Sequence, residues 1–155
     1  MKLRSDVVQL GLVAEQALEV VDEEARKKKL FIDAQLGSIA ARGDPRAIEQ
    51  VLVNLLDNAV KYTPEGGRIE VRATRVPDGV RVVVADSGPG IAAEHLQRVF
   101  ERFYRVDPGR SRDVGGTGLG LAIVKHLVEA MGGDGVRADS KVGEGSRFSF
   151  VLPAA

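Results

Sequence analysis

The stretch DPRAIEQVLVNLLDNAVKYTPEGGRIEVRATRVPDGVRVVVADSGPGI, residues 44–91, decides the fold of this chain. Asp44-Pro45 reads as a helix start, a capping carboxylate followed by proline at the first helical position. Val51, Leu52, Leu55, Ala59 and Val60 fall on one face of a helix that runs to about Tyr62. Thr63-Pro64-Glu65-Gly66-Gly67 is a turn. Residues 68–76 then alternate, with Ile69, Val71 and Ala73 set against Arg68, Glu70 and Arg72, so one face of this strand is wet. After Pro77-Asp78-Gly79, the nearly continuous valines from Val80 to Ala85 suit a central strand, and Asp86 follows it.

Outward from that stretch the same logic holds. From Val7 the apolar residues Leu10, Ala14, Ala17, Leu18, Val21 and Ala25 recur at helical spacing, and Arg26-Lys27-Lys28-Lys29 places cations where a helix C-terminus favours them. Residues 30–43 read as two short strands around Gly37. On the other side come a short helix near 93–98, an arginine-rich stretch to about Asp113, and a helix from about Thr117 to Met131 that Gly132-Gly133 ends. Two further strands close the chain, the second alternating Phe148, Phe150 and Leu152. The order is helix, strand pair, helix, strand pair, helix, strand pair. It predicts one domain over 1–155, a two-layer α/β (α+β) sandwich with a mixed sheet of about five or more strands and three main helices on one face.

Composition narrows the function. The 155 residues are 44% apolar and 28% charged, enough for one packed core. The 22 basic and 22 acidic side chains cancel, which argues against a nucleic-acid partner. No run approaches the roughly 18 apolar residues of a membrane span, and no signal-peptide pattern opens the sequence. A soluble, cytoplasmic, monomeric domain without direct membrane insertion is expected. Zero cysteines and two histidines, His95 and His126, exclude a disulfide frame and a thiolate or histidine zinc site. Glycine is the odd quantity: 18 residues, ten of them between Gly109 and Gly145.

Three constellations could carry chemistry. Gln50, Asn54, Asn58 and Lys61 share the polar face of the second helix. That face also reads as merely solvated, but asparagine is a poor helix former, and its carboxamide oxygen is a hard ligand suited to Mg²⁺. Asp86-Ser87-Gly88-Pro89-Gly90-Ile91 puts a carboxylate at the end of a buried strand, over a cleft or in a plain turn. Gly115-Gly116-Thr117-Gly118-Leu119-Gly120-Leu121 runs into the third helix, where glycines and a helix N-terminus can approach phosphate oxygens. No Gly-Lys-Ser/Thr follows, so it is not a Walker A loop. No strand precedes it, which argues against a dinucleotide fingerprint. A catalytic triad is not credible with these histidines and no nucleophile elbow.

The segments NLLDNAVKY (54–62), DSGPGI (86–91), VFERFYRVD (99–107), GGTGLGLAIVKHLVEAMGG (115–133) and GEGSRFSFVLP (143–153) appear in that order. Together they closely resemble the ATP-binding catalytic domain of bacterial sensor histidine kinases, with its N, G1, F and G2 boxes. The resemblance covers essentially the whole chain. It implies the Bergerat-type sandwich shared with gyrase and mismatch-repair ATPases, with ATP and Mg²⁺ bound and a flexible lid over about 93–116.

The resemblance also implies roles residue by residue. Asn58 matches the Mg²⁺ ligand, with Asn54 beside the phosphates. Lys61 and Tyr62 would contact phosphate and nucleotide, and Asp86 would accept the adenine amino group. Gly88, Gly90 and Ile91 would form the loop close to the base. Phe100 and Phe103 match the F box, and Arg105 a lid cation near the γ-phosphate. Gly116, Thr117, Gly118, Leu119, Gly120 and Leu121 match the loop that closes over the phosphates. Asn54, Lys61 and Arg105 are the implied catalytic residues.

Two departures sharpen the expectation. Hydrolysing relatives place a glutamate base one turn before the metal asparagine; here that position is Asn54, and a carboxamide cannot take a proton from water. The family's phosphoacceptor histidine lies on a separate helical dimerisation domain, in a context that neither His95 nor His126 has. The implied activity is transfer of the γ-phosphoryl group to that domain's histidine, with a response regulator downstream in two-component signalling. Two rivals are a degenerate nucleotide-binding scaffold, which the intact Asn58, Lys61, Asp86 and lid glycines argue against, and an anti-sigma-type serine kinase or a hydrolase on the same fold, which VFERFYRVD and the lack of glutamate at position 54 disfavour.

Overall fold

The computed structural model describes residues 2–96, 98–101 and 120–155. In chain order the elements are β1 (Asp6–Gln9), α1 (Leu10–Lys27), β2 (Phe31–Gln35), β3 (Ala40–Gly43), α2 (Pro45–Tyr62), β4 (Arg68–Val76) and β5 (Gly79–Asp86). They continue with α3 (Ala93–Leu96), α4 (Gly120–Ala130), β6 (Asp134–Lys141) and β7 (Gly145–Leu152). The expected α/β sandwich is present. Five strands form a mixed sheet in the order β2-β4-β5-β7-β6, with β2 parallel to β4 and the remaining pairs antiparallel.

The valine-rich β5 is the central strand, as its nearly unbroken apolar run requires. Val80, Val82 and Val84 face the helices together with Ile69, Val71, Phe148, Phe150 and Leu152, all buried. Fully burying each such side chain contributes roughly 1.5–3 kcal/mol. Against them α2 lays Val51, Leu52, Leu55, Ala59 and Val60, the face its periodicity assigned. α2 packs between α1 and α4. Its start is fixed by Asp44, whose Oδ1 accepts from the Arg46 and Ala47 amides at 2.9 and 3.4 Å while Oδ2 accepts from the Arg4 amide at 2.9 Å. These donors, Arg4 first, hold the Asp44 carboxyl below the ordinary carboxylate range.

The structure corrects two expectations at the N-terminal side. The helix begins at Leu10, because Asp6–Gln9 forms a strand paired antiparallel with β3, with Val8 buried. The two strands around Gly37 do not pair with each other: β2 joins the main sheet and β3 pairs β1. Gly37, at φ +58°, turns the chain from one sheet toward the other. At the C-terminal side, α4 ends at Ala130 and Gly132 adopts φ +80°, the stop that Gly132-Gly133 signals. Residues 117–119 of the expected third helix, and residue 97 of the short one, lie outside the described residues.

Candidate nucleotide site

Among the described residues, one hydrogen bond and one close approach connect parts of the three constellations through α2. Asn54, half-buried in the middle of α2, donates its side-chain amide to the Gly120 carbonyl at 3.4 Å, which links the first constellation to the third. Gly88 packs on the last turn of α2: a Cβ there would stand 3.1 Å from the Tyr62 carbonyl and 2.9 Å from Asp86 Oδ1. That links the first to the second. Asn58 lies one turn after Asn54 and is half-buried, and Tyr62 is exposed at the helix end. Lys61 lies on the same side, its ammonium 2.8 Å from Asp57 Oδ2, so α2 supplies its own counterion one turn back.

Asp86 ends the central strand, half-buried, with Oδ1 accepting from the Gly88 amide at 2.9 Å. Burial pushes its carboxyl above the ordinary range, and the amides of Gly88 and Ser146 pull it partly back. A half-buried carboxylate with lone pairs to spare is an acceptor waiting for a donor.

The glycines of the Asp86–Ile91 loop have reasons in the β6–β7 hairpin as well. Gly90 sits at φ +80°, and a side chain there would run into the Lys141 carbonyl and lie 2.9 Å from Val142 Cα. Sequence reasoning placed this glycine near the base; in the structure its missing side chain makes room for the hairpin. The Pro89 carbonyl accepts from the Gly143 amide at 2.8 Å. The Ile91 amide donates to Ser140 Oγ at 2.7 Å, and Ser140 Oγ lies 2.8 Å from the Gly145 carbonyl and 2.9 Å from Ser146 Oγ. Gly145, at φ +106°, presses on the Asp86 carbonyl. Ser140, Ser146 and Gly145 hold the Asp86–Ile91 loop, and only strand register, Asp86 opposite Ser146 and Ser140 opposite Ser146, reveals them. The Asp57–Lys61 pair was readable from its i,i+4 spacing.

Val99 is buried, and Phe100 of the F box packs edge-to-face on Phe148, ring centroids 6.2 Å apart. Gly120 opens α4, and Leu121 is half-buried in its first turn. Phe103, Arg105, Gly116, Thr117, Gly118 and Leu119 lie outside the described residues, as does most of the expected lid. His126 is exposed on α4, and His95 is half-buried 3.6 Å from Glu94.

A metal at this site would rest on carboxamide oxygen. Among the described residues no cluster of three or more histidine or acidic side chains could hold an ion. Asn58 offers a hard neutral donor, which fits Mg²⁺ when phosphate oxygens and water complete its shell.

A mixed sheet under three long helices, with a carboxylate at the end of the central strand and the loop after it packed on an asparagine-bearing helix, defines a class. Residues 43–155 match the family described as histidine kinase-, DNA gyrase B-, and HSP90-like ATPase, and the chain belongs to that family. Within the family it is of the catalytic ATPase type carried by sensor histidine kinases of two-component systems. The sensor histidine kinase WalK of Bacillus subtilis is 46% identical over 112 residues, 71% of this chain and 18% of WalK. CusS of Escherichia coli is 50% identical over 113 residues, 72% of this chain and 23% of CusS. The chain therefore spans about a fifth of the length of these relatives. Among solved structures, the mycobacterial sensor histidine kinase MprB superposes with a TM-score of 0.82 at 34% identity, covering 96% of this chain and 97% of that one. Full-length ShkA, in complex with AMPPNP, gives 0.83 at 33% identity over all of this chain and 33% of its own. No helix among the described residues is long and apolar enough to cross a membrane.

Proposed function

We propose that this chain binds Mg·ATP between α2, the Asp86–Ile91 loop and the start of α4, and passes the γ-phosphoryl group to a histidine on a separate helical domain. What supports this reading is the family match, together with a loop after Asp86 whose Gly88 packs on the last turn of α2, the helix that carries Asn54 and Asn58. Asp86 selects the base: its carboxylate accepts the adenine amino group, where guanine would offer a second acceptor. Asn58 would hold Mg²⁺, which when bound neutralises phosphate charge, and Asn54 would lie beside the phosphates. Lys61 exchanges its Asp57 partner for a phosphate oxygen, and Arg105 supplies a second cation.

Phosphoryl transfer asks the protein for positioning and charge rather than for covalent chemistry. An imidazole nitrogen of the acceptor attacks the γ-phosphorus; the bond from that phosphorus to the β–γ bridging oxygen breaks, and ADP leaves. Asn54 cannot serve as a base toward water, which favours transfer over hydrolysis. The acceptor belongs to a helical dimerisation domain of a longer parent kinase, with a response regulator as the next recipient. This domain would be the cytoplasmic portion of a membrane-anchored parent.

The test is to incubate the chain with γ-labelled ATP, alone and with a helical histidine-bearing acceptor domain. The chain alone binds nucleotide without labelling itself, and the mixture yields an acid-labile, base-stable phosphohistidine on the partner. An acid-stable product on serine overturns the histidine reading. Calorimetry without any Mg²⁺-dependent ATP affinity reduces the chain to a scaffold.

A further inference from the structure

The cation cluster that closes α1 does not act as a unit. Arg26 and Lys27 pair with acids of their own helix, Asp22, Glu23 and Glu24. Lys28 instead turns across to α2, and its ammonium donates to the carbonyls of Val60 at 2.6 Å and Lys61 at 3.0 Å. α2 ends without a left-handed glycine: Thr63 is extended at φ −84° and ψ 125°, and Pro64 follows. Its terminal carbonyls therefore need an outside donor, and the negative end of the helix dipole favours a cation there. The backbone of Lys28 is fastened to the Thr63–Gly67 turn that follows α2, its carbonyl accepting from the Gly66 amide at 2.9 Å. Burial lowers the tendency of this ammonium to stay protonated, in keeping with a partly dehydrated cation among carbonyls.

The turn that Lys28 grips carries the site. Lys61 contributes both a gripped carbonyl and an ammonium to it, Asn58 lies less than one turn earlier, and the Tyr62 carbonyl is the surface on which Gly88 packs. Lys28 itself lies outside residues 43–155, the part of the chain that matches the family.

We propose that Lys28 is a positioning residue for the nucleotide site: its hydrogen bonds to the Val60 and Lys61 carbonyls set the last turn of α2 against the Asp86–Ile91 loop, and so tune Mg·ATP affinity from another helix. This rests on the ATP-binding reading above. Loosening that turn would let Asn58, Lys61 and the Gly88 seat drift independently, a loss that appears in ligand affinity even where the chain stays folded.

The test uses the 155-residue chain with Lys28→Met, Lys28→Gln and Lys28→Arg, and Lys27→Met as a neighbouring control. Mg·ATP affinity is measured by calorimetry well below each variant's melting temperature, with folding checked by circular dichroism. Lys28→Met is expected to bind about tenfold more weakly. Lys28→Arg, whose guanidinium can span two carbonyls, recovers most of that loss, and Lys27→Met stays within about twofold of wild type. A folded Lys28→Met with wild-type affinity overturns the proposal, as does an Arg variant no better than Met. Should Lys28→Met not fold, Lys28→Gln, too short to reach both carbonyls, must show the loss instead. A wild-type chain that binds no Mg·ATP refutes the nucleotide reading itself, which is a separate result.

Discussion

The side-chain amide of Asn54 donates to the backbone carbonyl of Gly120, joining the middle of α2 to the first turn of α4. The bond turns the carboxamide nitrogen toward α4. Asn54→Asp removes the donor and sets two acceptors face to face. The expected cost is about 1 kcal/mol, a fall in melting temperature of roughly 2–4 °C for a chain of this size, with weaker Mg·ATP binding by calorimetry. Unchanged melting and unchanged affinity together would dissociate this bond from the site.

Asp86→Asn separates stability from binding. Because burial raises the Asp86 carboxyl, the folded chain holds a proton there more readily than the unfolded one. The stability this group contributes is full in acid, below its ordinary value, and is lost as pH rises through the raised one. The melting temperature of wild type relative to Asp86→Asn should therefore be higher at about pH 4.5 than at about pH 7.5. Affinity for ATP should fall about tenfold in the variant, and preference over GTP should shrink. An affinity equal to wild type removes Asp86 from base recognition.

Asp44→Ala should show the opposite pH trend. The cap carboxyl is held low, so its stabilisation is present above the ordinary carboxylate value and disappears as pH falls through the lowered one. Thermal melts at neutral pH should show a loss of about 1–2 kcal/mol, the usual worth of an N-cap. In acid the two proteins should converge.

Two glycines of the β6–β7 turn make a paired comparison. At Gly143, φ +86°, an added methyl group would meet no described residue beyond its chain neighbours within 4 Å, whereas at Gly145, φ +106°, it would run into the Asp86 carbonyl and Ser87 Cα. Gly143→Ala should cost only the backbone term of about 1–2 kcal/mol. For Gly145→Ala the cost should reach at least about 3 kcal/mol, because backbone must also move, and the Asp86 acceptor moves with it. Denaturant melts of both variants, with ATP titrations of whichever remain folded, check this; equal costs would mean that the contact is soft.

What the sequence disclosed follows the range of the forces involved. α2 and the β4–β5 hairpin were legible because a cap, a proline, a turn and an alternating pattern act within a few residues. Asp6–Gln9 escaped because its strand character depends on β3, more than thirty residues on, and its valines fit the adjoining helical pattern equally well. The site divides the same way. Asn54, Asn58 and Asp86 are visible by residue type and setting. Ser140 gains its three contacts, and Gly90 its closeness to Lys141, only once strands in different parts of the chain pair in register. Lys28 misled, since a cation after one helix can serve the end of another.

The edge position of β2 has a consequence for how this protein can be divided. The family match begins at residue 43, yet β2 supplies the row of partners that covers β4 from Arg68 to Arg72, and α1 covers one flank of α2. A fragment starting at residue 43 would retain every matched residue and still present a raw sheet margin ready to pair with its own kind. The matched stretch is thus shorter than the set of elements that closes this side of the sheet.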